Sequence, residues 1–216
     1  MHASHSMTPG QAGIRMNTTP ATHPSPARQR ILDTADRLFY QEGLRATGID
    51  RIIAESGVAK MSFYRHFPSK TDLIAAFLER RHDTWMSWFK DAVDARINKA
   101  NAGLEVIADV LGMWFRERDF RGCAFINTMA ESGSLDGDAS RMALAHKTHL
   151  ATYLETVAKR LGLLRPRQVA EAAMIVIEGT IVRAQMTGDA SVVTSCRQLL
   201  KAIGQSAANP AGKKSR

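Results

Sequence analysis

Residues 43–72, GLRATGIDRIIAESGVAKMSFYRHFPSKTD, decide the fold of this chain. Thr47 stands ahead of Ile49, Ile52, Ile53 and Ser56, which recur at helical spacing, so the pattern predicts a helix with Thr47 as its N-cap. Gly57 can take the left-handed conformation that stops a helix, and Val58 supplies the turn with an apolar plug. A second helix of about two turns follows from Lys60 to His66. Phe63 and Phe67 share its inner face, leaving Lys60, Met61, Ser62, Tyr64, Arg65 and His66 to face outward. Pro68 ends this helix, and Ser69-x-x-Asp72 forms a capping-box-like start for the next. Two short helices around a glycine turn, braced by neighbours, are a DNA-reading arrangement.

The run Tyr64, His66, Phe67 and Lys70 resembles the Tyr-x-His-Phe-x-x-Lys pattern that closes the helix-turn-helix of the TetR family of bacterial transcriptional repressors. The resemblance is specific over roughly residues 28–78 and only architectural beyond. It implies that the second helix enters the major groove while flanking groups hold phosphates. Carried over to this sequence, it makes Lys60, Met61 and Ser62 candidates for base edges, and Thr47, Tyr64, His66 and Lys70 candidates for phosphates. Met61 departs from the small residue common in the family; it either touches a thymine methyl or crowds the groove. The residues alone leave plainer alternatives open, with Tyr64 packed on the core or His66 merely solvated. Lys70 opposes the dipole of the helix it begins, a mismatch that an approaching phosphate would resolve.

Composition agrees with a polyanion partner. The formal charge is +8 and the pI near 9.9, and residues 1–70 hold nine Lys/Arg against five Asp/Glu, so positive charge is denser in the reader. With 44% hydrophobic residues the chain can bury a sizeable core. Cys123 and Cys196, the two cysteines, suit a reduced cytoplasmic protein rather than a disulfide scaffold. Residues 1–26 read as a disordered arm, with Pro9, Pro20, Pro24 and Pro26 excluding a long helix and with no secretion signal. Met7 and Met16 are alternative starts, and Arg15, Arg28 and Arg30 could carry the arm into a minor groove.

The remainder reads as helices only, so the expected class is all-α. Residues 27–72 form an N-terminal three-helix DNA-binding domain and residues 73–206 a C-terminal helical ligand-binding and dimerisation domain, with 207–216 a frayed tail holding Lys213, Lys214 and Arg216. Predicted helices run from Ala27 to Gln41, from Ser69 towards Gly103, from Leu104 to Arg118, from Cys123 to Glu131, from Arg141 to Leu161, from Arg167 to Met186 and from Ala190 to Gln205. Gly133 and Gly137 mark a loop. The last two helices (about 167–205) carry apolar faces, Val169, Ala172, Ala173, Val176, Ile177, Thr180 and Ile181 on one and Val192, Val193, Cys196, Leu199, Leu200 and Ile203 on the other. Paired with a second copy they would build a four-helix bundle and a homodimer; alternatively they fill the chain's own core.

A small-molecule effector needs a pocket. Candidate lining residues are Trp85, Trp88, Phe89, Trp114, Phe125, Met129, His146, His149, Tyr153 and Glu178, though aromatics at helical spacing also serve as core. Glu178 and Arg183 are pocket groups, an exposed edge or an interchain pair. His146-x-x-His149 lacks a matching carboxylate for zinc, and no metal or cofactor is expected. The chain carries no Gly-rich phosphate loop, Cys-x-x-Cys, His-Glu-x-x-His or Gly-x-Ser-x-Gly, so no enzyme is expected. Cys123, beside Arg116, Arg118 and Arg121 at a helix start, is either a redox-sensitive thiolate or a small buried hydrophobe. The reading is a homodimeric repressor that leaves double-stranded operator DNA when its effector binds, with no membrane partner. The alternative is a helical ligand-binding or interaction module that has lost DNA binding.

Overall fold

The computed structural model describes residues 25–132 and 137–208. Most of the N-terminal arm, including Met7, Arg15 and Met16, lies outside them, as do Gly133 and the terminal Lys213, Lys214 and Arg216. The described residues form helices and no strand: α1 Pro26–Glu42, α2 Ile49–Ser56, α3 Lys60–His66, α4 Lys70–Ile97, α5 Val106–Phe115, α6 Ala124–Ser132, α7 Asp138–Arg160, α8 Pro166–Thr187 and α9 Val193–Ser206, with a single 3-10 turn at Ala190–Val192 before α9.

Local chemistry accounts for the boundaries. The Ser25 side chain accepts the Arg28 amide, and Pro26 occupies the first turn of α1. Pro26 therefore belongs to the helix rather than to the arm, because its ring presets φ and its missing N–H would have no partner there. Ser69 accepts the Asp72 amide at 3.1 Å and donates its hydroxyl to the Asp72 carboxylate at 2.6 Å, the cap expected for α4. Such a cap stabilises by about 1 kcal/mol. The expected Thr47 cap of α2 is not found. Gly48 holds that position without a side-chain bond, and Thr47, fully buried, donates to the carbonyls of Gly43 at 2.8 Å and Leu38 at 3.4 Å. Gly57 turns the chain in the left-handed region, at φ 64° and ψ 31°, as its position between α2 and α3 requires.

The boundary expected at residue 72 does not divide the core. Leu73, Ala76 and Phe77 of α4 are buried with Ile31, Leu38 and Phe39 of α1 and Phe63 of α3, and the Phe39 and Phe77 rings meet edge-on at 5.5 Å. The first turns of α4 are thus part of the reader, and the rest of α4 runs into the body against α5 and α7. In the body α7 packs on α4, α6 and α8, while α9 packs on α5 and α8.

The faces expected to pair two chains are mostly used inside this one. Ala173, Ile177 and Ile181 of α8 and Cys196 and Leu200 of α9 are almost fully buried, and Val176 is half-buried. The body must cover α5 and α7 before it offers a face to a partner, and these side chains do so. The apolar groups left outside on α8 and α9 are Ile175 (74% exposed), Met186 (78%) and Leu199 (53%).

Candidate DNA-reading surface and the cavities of the body

α3 is short, and its position rests on Phe63, which is fully buried, and Phe67, 2% exposed. Burying two such rings contributes several kcal/mol, at about 1.5–3 kcal/mol each, more than two turns of helix supply alone. With these inward, Met61 (77% exposed), Tyr64 (38%), Lys60 and Arg65 form the outer surface. Ser62 is half-buried. Lys60 sits 3.5 Å from Asp50 across the turn, an exposed ion pair that a phosphate or base could displace at little cost. The Tyr64 ring rests edge-on against Phe63 at 5.3 Å, so it packs on the core while its rim stays outside.

The other phosphate candidates differ in their surroundings. His66 is half-buried and its Nε2 lies 3.1 Å from the Ser25 hydroxyl, which joins the end of α3 to the start of α1. Thr47 is buried with its hydroxyl spent on two carbonyls, so its side chain cannot meet a phosphate. Lys70 is half-buried in the first turn of α4. Arg65, exposed beside Tyr64, joins the outer face.

The reader is fastened to the body by hydrogen bonds between residues far apart in sequence. The buried Tyr40 hydroxyl donates to the Gly122 carbonyl at 2.9 Å and accepts the Arg121 amide at 3.1 Å. Burial raises the pKa of this hydroxyl, which stays protonated as a donor. Gly122 has φ 80°, a conformation glycine adopts without strain, and in it presents that carbonyl to Tyr40. Gln41 donates to the Asp119 carbonyl at 3.1 Å, and the Arg45 amide donates to Glu131 at 2.8 Å. The fork of Arg81 on α4 donates to both oxygens of Asp36 on α1, at 2.8 and 2.9 Å, while lying 3.9 Å over the Tyr40 ring.

Two cavities adjoin these ties. An outer cleft of about 580 Å³ lies between the reader and the body, bounded by Arg28, His66, Glu79, His82, Met142 and His149 among others. An inner slit of about 30 Å³, room for one water, is bounded by Tyr40, Arg81, Trp85, Trp114, Cys123 and Lys147 among others. Phe125 and His146 line both, stacked at 3.7 Å with an interplanar angle of 9°, and so form the partition. Trp85, Trp114, Phe125 and His146 thus border the inner slit, and His149 the outer cleft. Trp88, Phe89, Met129, Tyr153 and Glu178 line neither. Phe89 is core filler stacked on Trp85 at 4.7 Å, Tyr153 donates to Asp94 at 2.9 Å, and Glu178 pairs with Lys147 at 3.1 Å.

The histidines form a chain rather than a metal cage. His82 Nδ1 lies 2.9 Å from His146 Nδ1, and His82 Nε2 lies 3.2 Å from His149 Nδ1, so the central ring uses both nitrogens in opposite directions. Among the described residues no group of three His, Cys, Asp or Glu side chains is arranged to hold a metal ion. Burial, then the nearby Lys147 charge, lowers the pKa of His146 to about 3, leaving the partition neutral at pH 7. Cys123 is buried at the start of α6, its carbonyl accepting the Asn127 amide at 3.0 Å. Two of the arginines expected to steady a thiolate turn to backbone carbonyls instead, Arg116 to Gly112 and Arg121 to Phe120. The buried Trp85 Nε1–H has no hydrogen-bond partner within the described residues. Among those residues, no helix is long and apolar enough to cross a membrane.

Comparison with known proteins gives this geometry a context. The family described as "Bacterial regulatory proteins, tetR family" matches residues 31–77, which span α1 to the first turns of α4. An uncharacterized HTH-type transcriptional regulator of Lactococcus lactis subsp. lactis is 25% identical over 178 residues, 81% of this chain and 91% of that protein. An HTH-type transcriptional regulator of Staphylococcus aureus (strain USA300) is 37% identical over 67 residues, which is 31% of this chain and 36% of that one. Among solved structures, a TetR-family transcriptional regulator from Streptomyces coelicolor superimposes with a TM-score of 0.76 at 26% identity, covering 85% of this chain and 96% of that chain.

Proposed function

Since the chain belongs to the TetR family and is a DNA-binding transcriptional regulator, we propose that it acts as a homodimeric repressor released from its operator by a small ligand. The observation that carries this reading is the outer face of α3, with Lys60, Met61, Tyr64 and Arg65 exposed on a helix held by buried Phe63 and Phe67. Lys60, Met61 and Ser62 read base edges, while Tyr64, His66 and Lys70 hold phosphates. Two copies join through α8 and α9, where Ile175, Met186 and Leu199 are the exposed apolar groups. The dimer presents its two α3 helices to successive major grooves, roughly 34–36 Å apart or a multiple of that.

Release is a shift in population between two arrangements of reader and body. The cavities bordered by α4, α6 and α7 abut the ties through Tyr40 and Arg81, which supports coupling from a bound ligand to the reader. Cys123 serves this site as part of a cavity wall.

The test is selection of bound duplexes from a random pool with the parent and with variants at Lys60, Met61 and Ser62. Loss of a base contact should change discrimination at one operator position by about 1–3 kcal/mol. If the variants return the parent motif at lower affinity only, the base-reading assignment fails. If the parent selects no motif at stated salt, the chain is instead a helical ligand-binding module.

A further inference from the structure

We propose that the effector is an aromatic acid whose carboxylate takes the Arg81 guanidinium away from Asp36. This deepens the ligand-released repressor reading and rests on it for the consequence at DNA, but not for the binding itself.

The inner slit offers donors to its occupant. Arg81 and Lys147 border it, and the buried Trp85 Nε1–H has no hydrogen-bond partner among the described residues. Among the described residues no carboxylate lines it. Asp36 and Glu178, the partners of Arg81 and Lys147, sit outside the lining. A group that takes over Arg81 from Asp36 and also meets the Trp85 N–H must accept hydrogen bonds, and the planar fork of Arg81 fits a carboxylate with two parallel bonds. The walls around these donors are rings: Trp85 meets both Trp114 and His146 edge-on at 5.5 Å, and His146 stacks on Phe125. An aromatic body matches them.

The slit alone is too small for such a molecule, and the partition supplies the room. Phe125 and His146 separate it from the outer cleft of about 580 Å³, so turning these two rings joins the volumes. The outer cleft carries Asp72 and Glu79 together with His66, His82, His149 and Arg28, a mixed set with both its carboxylates exposed. The acid group therefore has its best site at the inner end, and the ring lies across the partition.

Seating it has a direct consequence for the reader. Arg81 ties α4 to α1 through Asp36 and covers the Tyr40 ring, and α1 carries α2 and α3. A carboxylate that competes for the same fork loosens α1 from α4.

Calorimetric titration of the full chain without DNA, using benzoate, phenylacetate and naphthoate each against its primary amide, tests the proposal. At least one acid should bind about tenfold more tightly than its amide, the difference expected when charge-assisted bonds are lost. Arg81→Met should remove that preference. Asp36→Asn keeps Arg81 in place but frees its fork, so the same acid should bind several-fold more tightly, a result that does not depend on Arg81→Met folding. The proposal is overturned if no acid outbinds its amide, if the preference survives Arg81→Met, or if Asp36→Asn leaves acid affinity unchanged or weaker. Acids that bind as stated yet leave operator complexes intact would refute the release step and uphold the site.

Discussion

Tyr40→Phe isolates the tie between reader and body, because it removes one oxygen and keeps the ring on which Arg81 rests at 3.9 Å. The hydroxyl makes two bonds, donating to the buried Gly122 carbonyl at 2.9 Å and accepting the part-buried Arg121 amide at 3.1 Å. Leaving a buried carbonyl without a donor costs about 1–3 kcal/mol, and losing the more accessible bond adds about 0.5 kcal/mol, since water can replace part of it. The centre of this range is about 2.5 kcal/mol. For a chain of this size each kcal/mol lowers the melting temperature by about 2–4 °C, so the variant should melt roughly 5–10 °C lower. Scanning calorimetry on the full chain measures this, and amide exchange at Arg121 should accelerate in parallel. A melting point within about 2 °C of the parent, with Arg121 exchange unchanged, would show that the hydroxyl does not hold the two parts together.

Three further outcomes follow from the same geometry. Ile175→Glu and Met186→Glu should give folded monomers in sedimentation, whereas Leu200→Asp should unfold the chain because Leu200 is fully buried; folded dimers from both exposed-site variants would move the interface off α8. Lys70→Ala should weaken binding to all duplexes alike and lower the slope of log affinity against log salt by about one, and an unchanged slope removes Lys70 from the phosphate contacts. Burial lowers His146 to about 3, so between that pH and its unfolded value near 6.5 the unfolded chain binds a proton the folded chain does not. Stability therefore falls on acidification from pH 6.5, by up to about 1.4 kcal/mol per unit, and His146→Gln should remove about 2 kcal/mol of the loss between pH 7 and pH 5 in urea unfolding. Equal losses in parent and variant would contradict a neutral, buried His146.

What the sequence determined was local. Gly57, the spacing of Phe63 and Phe67, Pro68 and the Ser69-x-x-Asp72 cap act within a few residues, so α2, the turn, α3 and the start of α4 were legible together with the exposed face of α3. Thr47 shows where that legibility stopped: cap and buried donor look alike in sequence, and only the nearness of the Leu38 and Gly43 carbonyls decided between them. The aromatics were recognisable as a group, but Phe89 fills core while the Trp85 N–H finds no partner among the described residues, a difference set by neighbours from other helices. The apolar faces of α8 and α9 were legible too, yet periodicity cannot say whether a face meets its own chain or another, and packing on α5 and α7 turned most of it inward. The ties from Tyr40 to Gly122, Arg81 to Asp36 and His82 to His146 join residues 82, 45 and 64 positions apart. No pattern of neighbouring residues encodes such pairs, because each arises only when α1, α4, α7 and the segment before α6 have already packed, and so the tertiary structure alone decided how the reader is fastened to the body and how the histidines of α4 and α7 meet.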